Sequence, residues 1–197
     1  MNDTLTDVKQ IITEVNRIHG EYSKDYFETG KVQKINLSRT IAHVPANHIY
    51  NYRLNLHESI NDYLIKAEIQ IRYFYRVKTK ESIDSKLERY KAQPDQYPVN
   101  NWMNDIFGAR IILTREEIEK VIDHLDDWKR DFGLKNWYFR DKDGYKGLDI
   151  YFKNESNYYF PWELQIWDRN DVDGNIKSHE KHKRIFLEGM GVLEVRS

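Results

Sequence analysis

Two carboxylates in this sequence stand beside short apolar runs, where a charge is costly. Asp105 immediately precedes Ile106 to Leu113 (IFGARIIL), and Glu163 lies inside Trp162-Glu163-Leu164-Gln165-Ile166-Trp167. Strand alternation would set Glu163, Gln165 and Trp167 on one face and Trp162, Leu164 and Ile166 on the other. An acid held among such neighbours needs a cation, a metal or another polar partner. The plainer reading is an edge strand with one wet face. A second group is cationic: after Arg76, the residues Lys78, Ser82, Lys86 and Arg89 recur every three or four positions. A helix with its leading turn would present them as one stripe, suited to a polyphosphate whose charge needs several donors. A merely solvated helix face is the alternative. The third group is the glycine-bracketed turn Asp143-Gly144-Tyr145-Lys146-Gly147. There Tyr145 could stack on a base and Lys146 meet a phosphate, or the segment is an ordinary hairpin turn. The fourth is the basic segment from Lys177 to Arg184, with Lys181, Lys183 and the histidines His179 and His182. Two histidines three apart with no third ligand nearby argue against zinc. A basic rim for a nucleotide or RNA is the better functional reading.

The elements that must carry these groups follow from periodicity. Val8, Ile11, Ile12, Val15 and Ile18 predict a helix over Leu5 to Ile18, with Thr4 or Thr6 as its cap. Residues 20–45 read as polar and irregular. Leu56, Ile60, Tyr63, Leu64, Ala67 and Ile71 predict a helix from Asn47 to Tyr75, and another runs from Glu81 to Lys91, stopped by Pro94 and Pro98. Ile106 to Leu113 reads as a buried strand. Thr114 with Glu117 forms a capping box that opens a helix carrying Ile118, Val121, Ile122, Leu125 and Trp128, ended near Gly133. Strands are expected at Asn136 to Arg140, Leu148 to Lys153 and Tyr158 to Trp167, separated by turns at Asp143-Gly144 and Asn154-Glu155-Ser156. Helices first, then strand–helix–strand–strand–strand, imply an α/β (α+β) fold: a mixed sheet flanked by helices, since only one crossover helix is present.

The bulk numbers bound the function. A chain of 197 residues suits a single domain with a real core. With 31 basic against 32 acidic side chains the net charge is −1, so no global field draws the chain onto nucleic acid, and a polyanion needs a local basic patch. No run approaches the roughly 18 apolar residues of a membrane span. MNDTLTDVKQ has no apolar centre and does not read as a secretory signal. With no cysteine there is no disulfide and no thiolate metal site, which fits the cytoplasm.

Taken in order, these groups resemble the synthetase domain of the RelA/SpoT family, in its small alarmone synthetase group and most closely the toxic, toxin–antitoxin members. That family has an Arg-x-Lys segment followed by a helix with Ser, Lys and Arg, here Arg76, Lys78, Ser82, Lys86 and Arg89. Its Asp-Ile-x-Gly-x-Arg strand is present as Asp105-Ile106-Phe107-Gly108-Ala109-Arg110. Its Asn-Gly-Tyr-Arg-Ser-Leu-His loop corresponds to Asp143-Gly144-Tyr145-Lys146-Gly147-Leu148-Asp149. Its Glu-x-Gln-Ile-Arg-Thr strand corresponds to Glu163-Leu164-Gln165-Ile166-Trp167-Asp168. The match covers residues 76–184 of one synthetase-like domain, and residues 1–45 form an N-terminal helical extension outside it.

The resemblance implies a nucleotidyltransferase-like fold and transfer of the β,γ-pyrophosphate of ATP to a ribose 3′-hydroxyl. By position, Arg76 and Arg110 would sandwich the adenine, and Lys78, Ser82, Lys86 and Arg89 would hold the phosphates. Asp105 and Glu163 would bind Mg²⁺, with Glu163 sharing the metal or taking the proton of the attacking hydroxyl. Tyr145, Lys146, Gln165, His179, Lys181, Lys183 and Arg184 fall on the acceptor side. The departures lie on that side: Lys146 for arginine, Gly147 for serine, Asp149 for histidine, and Trp167-Asp168 for Arg-Thr. Losing a forked donor and gaining an acid should weaken binding of free GDP or GTP. The resemblance to toxic members therefore implies the 3′-terminal adenosine of tRNA as acceptor, with a protein antitoxin as partner. Synthesis of (p)ppGpp or (p)ppApp is the alternative, and a catalytically dead nucleotide- or RNA-binding module is the competing class outside enzymes.

Overall fold

The computed structural model describes residues 3–66 and 73–189, with side chains described as far as Glu180. In chain order the elements are α1 (Thr4–Lys24), α2 (Ala46–Ile65), β1 (Phe74–Val77), α3 (Lys80–Lys91), α4 (Val99–Trp102), β2 (Phe107–Leu113), α5 (Arg115–Ile122), α6 (Leu125–Asp131), β3 (Leu134–Lys142), β4 (Tyr145–Phe152), β5 (Trp162–Asp168) and α7 (Val172–Gly189).

The strands form one five-stranded sheet in the order β1-β2-β5-β4-β3. Only β2 and β5 run parallel; the other pairs are antiparallel. The expected mixed sheet flanked by helices is therefore present. Register fixes its two faces. Phe107, Ala109 and Ile111 align with Trp162, Leu164 and Ile166, and with Leu148, Ile150 and Phe152 of β4, on the side that forms the core. Arg76, Gly108, Arg110, Glu163, Gln165, Asp149 and Tyr151 fall on the other face. The predicted split of Glu163, Gln165 and Trp167 from Trp162, Leu164 and Ile166 holds. The wet-edge reading of β5 does not, because it is the third of the five strands and is buried on both faces.

α1 lies across the core face. Val8, Ile11, Ile12, Val15 and Ile18 are all buried, and Asn16 accepts a hydrogen bond from Trp162 Nε1 at 2.8 Å. His19 continues the same face into a buried polar knot. Its ring stacks on Phe107 with centroids 5.4 Å apart, and Asn154 Nδ2 donates to its Nδ1 at 3.2 Å. That leaves the ring proton on Nε2, 3.0 Å from the Tyr52 hydroxyl, which in turn meets Ser23 Oγ at 3.0 Å. The knot joins α1, α2 and the turn after β4.

Several boundaries differ from expectation. α1 runs on through Lys24 and a π turn at Asp25–Thr29, so part of the supposedly irregular stretch is helical. Neither Thr4 nor Thr6 caps it: Asp3 is the N-cap residue without a side-chain bond, and Thr4 Oγ1 donates to Glu117 Oε1 at 2.6 Å. α2 ends at Ile65, and Phe74–Val77 is a strand, so the predicted helix to Tyr75 is too long; Ala67 and Ile71 lie outside the described residues. The helix after the capping box breaks at Asp123-His124 into α5 and α6. The capping box itself forms, with Thr114 Oγ1 accepting from Glu117 N and Glu117 Oε2 accepting from Thr114 N.

Candidate active site

The polar face of the sheet opens on a cavity of about 570 Å³. One end is ionic. Asp105 sits at the mouth of β2, and Arg76 is brought opposite it by the antiparallel pairing of β1 with β2, in which Arg76 faces Gly108. The guanidinium Nη2 of Arg76 lies 2.9 Å from Glu163 Oε2 and 3.7 Å from Asp105 Oδ2, so both buried carboxylates converge on one nitrogen. Lys78 Nζ donates to Asp105 Oδ2 at 2.6 Å, and Lys86 Nζ donates to Oδ1 at 2.9 Å and to the Trp102 carbonyl at 2.7 Å. The cap of α3 aims this stripe: Thr79 Oγ1 accepts from Ser82 N, and its hydroxyl donates to Ser82 Oγ.

The charges tune one another. Burial disfavours the Asp105 carboxylate, yet Lys78, Lys86 and Arg76 outweigh it and hold its carboxyl well below the usual range. Burial likewise works against the Arg76 charge, and Glu163 and Asp105 raise its pKa above the ordinary arginine value. For Lys78 burial wins over the attraction of Asp105, and its pKa falls to about 8.

The other end is aromatic. The β3–β4 hairpin turns on Asp143 and Gly144, both with positive φ (56° and 82°), as a two-residue turn of this hand requires. It delivers Tyr145, whose hydroxyl donates to Asp149 Oδ1 at 2.6 Å. The ring lies so close to Gly147 that a Cβ there would meet the tyrosine oxygen at 2.6 Å, so only glycine fits. Asp149 is 2% exposed and also receives Arg140 Nε at 2.7 Å. Burial first and the neighbouring Glu163 second raise its pKa to about 7, against the opposing pull of Tyr145 and Arg140. Arg140 Nη2 also donates to the Tyr151 hydroxyl at 3.1 Å. α7 closes this end. Asn175 clasps the backbone of Lys146 through two bonds of 2.7 Å, and His179 reaches in to stack on Trp167 with centroids 5.6 Å apart.

The predicted residues distribute unevenly. Arg76, Lys86, Asp105, Glu163, Tyr145, Gln165 and His179 line the cavity, and Lys78 stands behind Asp105. Arg110 packs its guanidinium 3.5 Å over the Trp167 ring and donates to Gln165 Oε1 at 2.7 Å, so one face expected for adenine is already covered by an indole. Ser82 is held in the α3 cap and, with the exposed Arg89, stays outside the cavity lining. Lys146 is a correction: alternation turns it away from Tyr145, and its Nζ lies 3.6 Å from Asp141 instead. The side chains of Lys181, Lys183 and Arg184 lie outside the described residues. Sequence reasoning missed Asp149, Arg140, Tyr138 and Tyr151 as site residues. The signal was available for Asp149 and Tyr151, which share a face with Tyr145 at two-residue spacing.

For a metal, the donor set is Asp105 and Glu163. Among the described residues no group of three or more His, Asp or Glu is arranged to hold an ion. Mg²⁺ asks for less, one or two carboxylates with the remaining oxygens from phosphate and water, and this pair fits that demand.

No family model and no curated protein matches the chain. Its structural neighbours are small alarmone synthetases. The small alarmone synthetase 1 of Bacillus subtilis, bound to its product pppGpp, shares 18% identity over 71% of this chain and 80% of its own, with a TM-score of 0.41. The same enzyme bound to AMPCPP gives 22% identity, 73% and 78% coverage and a TM-score of 0.40. A GTP pyrophosphokinase family protein from Streptococcus pneumoniae gives 18%, 77%, 78% and 0.43.

Proposed function

We propose that this protein is an ATP-dependent pyrophosphokinase whose acceptor is the 3′-terminal adenosine of tRNA, acting as a translation-inhibiting toxin in the cytoplasm. The observation that carries the reading is the convergence of Asp105 and Glu163 on Arg76, flanked by Lys78 and Lys86. This arrangement brings two carboxylates and three cations to one point, which is what a Mg²⁺–polyphosphate complex asks for. A Mg²⁺ held by Asp105 and Glu163 would neutralise phosphate charge during transfer. Arg76, expected beside the adenine, is drawn instead to Asp105 and Glu163, so it joins Lys86 in holding the β- and γ-phosphates, and Lys78 keeps Asp105 ionised. The acceptor 3′-oxygen attacks the β-phosphorus of ATP, the bond from that phosphorus to the α–β bridging oxygen breaks, and AMP leaves with that oxygen. The hydroxyl proton passes to Glu163.

The acceptor end favours a nucleoside over a free polyphosphate. Tyr145 and Tyr138 offer ring faces, while Arg140 is committed to Asp149 and so is not free for a 5′-diphosphate. Lys142, which also lines the cavity, favours the second reading, a small alarmone synthetase making (p)ppGpp or (p)ppApp from free nucleotides.

The test is transfer from γ-labelled ATP to tRNA or to GDP. Wild-type protein should label tRNA, and Glu163→Gln should lower the rate at least about 100-fold while its circular dichroism stays native. Label on GDP and none on tRNA would replace the RNA acceptor with the alarmone reading. Label on neither would end the kinase assignment. In cells, expression should arrest growth in a Glu163-dependent way, relieved by a protein antitoxin.

A further inference from the structure

A second cleft, of about 270 Å³, lies past the start of β3 and the end of β4. Its lining includes Lys135 at the start of β3 and Lys153 just past the end of β4, with Asn100, Asn101, Asn157 and Ser38 from the facing loops. No aspartate or glutamate lines it. Lys135 Nζ is braced by neutral oxygens only: the Asn100 carbonyl at 2.9 Å, Asn100 Oδ1 at 3.4 Å and Asn101 Oδ1 at 2.5 Å. Burial first, and then the neighbouring Lys153, lowers its pKa. Lys153 is exposed and makes no ion pair among the described residues. Glu28, which accepts from the lining residue Tyr159, is already paired with Lys34 at 3.1 Å.

Two ammonium groups are thus held side by side in a polar recess without a counter-charge, which costs repulsion that an anion would relieve. The side-chain amides of Asn100 and Asn101 spend their oxygens on Lys135, and their N–H donors meet no acceptor among the described residues. Cations and unspent amide donors around one recess are what a phosphate group asks for. We infer that this cleft is a phosphate-binding site.

Its position suggests whose phosphate. Tyr151 lines the catalytic cavity, and Lys153 follows it two residues on, just past the end of β4 and about 7 Å away. A strand whose 3′ end enters the cavity would cross this cleft with its backbone. That assignment rests on the RNA acceptor proposed above; the cleft itself rests on its own lining.

The experiment uses full-length wild type, Lys153→Gln and Lys153→Arg. A fluorescein-labelled short single-stranded RNA is titrated by anisotropy at several KCl concentrations, a non-hydrolysable ATP analogue by calorimetry, and inorganic phosphate by amide NMR. Lys153→Gln should weaken RNA binding about 3–10-fold and reduce the log–log salt slope by about 0.7, the loss of one phosphate contact. Lys153→Arg should restore both, and analogue affinity should not change in either variant. Phosphate should move the amides of Asn101, Lys135 and Lys153 in wild type and leave them still in Lys153→Gln. RNA that binds all three proteins alike, with no phosphate response, overturns the cleft and spares the RNA acceptor. A phosphate response without RNA binding supports the cleft and overturns the acceptor. Failure of both arms removes both.

Discussion

Under the proposed function, Asp149 is the residue placed to set the choice of acceptor. Its carboxylate draws in Arg140 at 2.7 Å and Tyr145 at 2.6 Å, so the half-exposed guanidinium at the aromatic end is held by an ion pair. Asp149→Asn keeps the size and a hydrogen-bonding oxygen but gives up the ionic hold, freeing the Arg140 guanidinium for a 5′-phosphate. The ratio of label on GDP to label on tRNA should then rise several-fold. An unchanged ratio in a variant that still transfers would mean that Asp149 does not govern selectivity. Asp105 and Glu163, the proposed catalytic carboxylates, were legible as candidates because an acid beside or inside an apolar strand is conspicuous. Asp149 was read only as a lost histidine, since a single chain does not announce that Arg140 will reach it from the next strand. Lys146 was misplaced for a related reason: a charge beside Tyr145 is adjacent in sequence but faces the other way.

At the scale of elements, local signals were legible and tertiary ones were not. The capping box at Thr114 and Glu117 could be read directly, because both partners lie within one turn. It also holds α5 in place through the bond from Thr4 of α1. Thr114→Ala should cost about 1 kcal/mol, seen as a Tm lower by about 2–4 °C for a chain of this length. Transfer should be unaffected, because no residue of α5 lines the cavity. A scan showing no shift would mean that Glu117 and Thr4 hold α5 without the cap. β1 was hidden because its four residues follow a helical pattern and owe their extended form to pairing with β2. Pairing across the sheet overrides local preference there, and it is this pairing that carries Arg76 to the carboxylates.

For the molecule as a whole, the N-terminal segment was legible as an amphipathic helix, but its place was not. α1 covers the central strands and donates Val8, Ile12 and Val15 to the single core, so it belongs to the body that supports the site. Only distant contacts, such as Trp162 to Asn16, reveal that.

The knot around His19 has a consequence for tolerance of acid. Sealed at 0% exposure and accepting at Nδ1, the imidazole has nowhere to put a second proton, and its pKa drops from 6.5 to about 3. The unfolded chain takes up that proton below about pH 6.5 and the native protein refuses it, so native stability declines as the medium is acidified. The decline from this group is about 1.4 kcal/mol per pH unit. His19→Gln should be the weaker protein at neutral pH and should close the gap to wild type between pH 6.5 and 4.5 in urea unfolding. A gap that stays constant would exonerate this ring. Where acidity climbs, the seam joining the first helix to the sheet is where the molecule should begin to come undone.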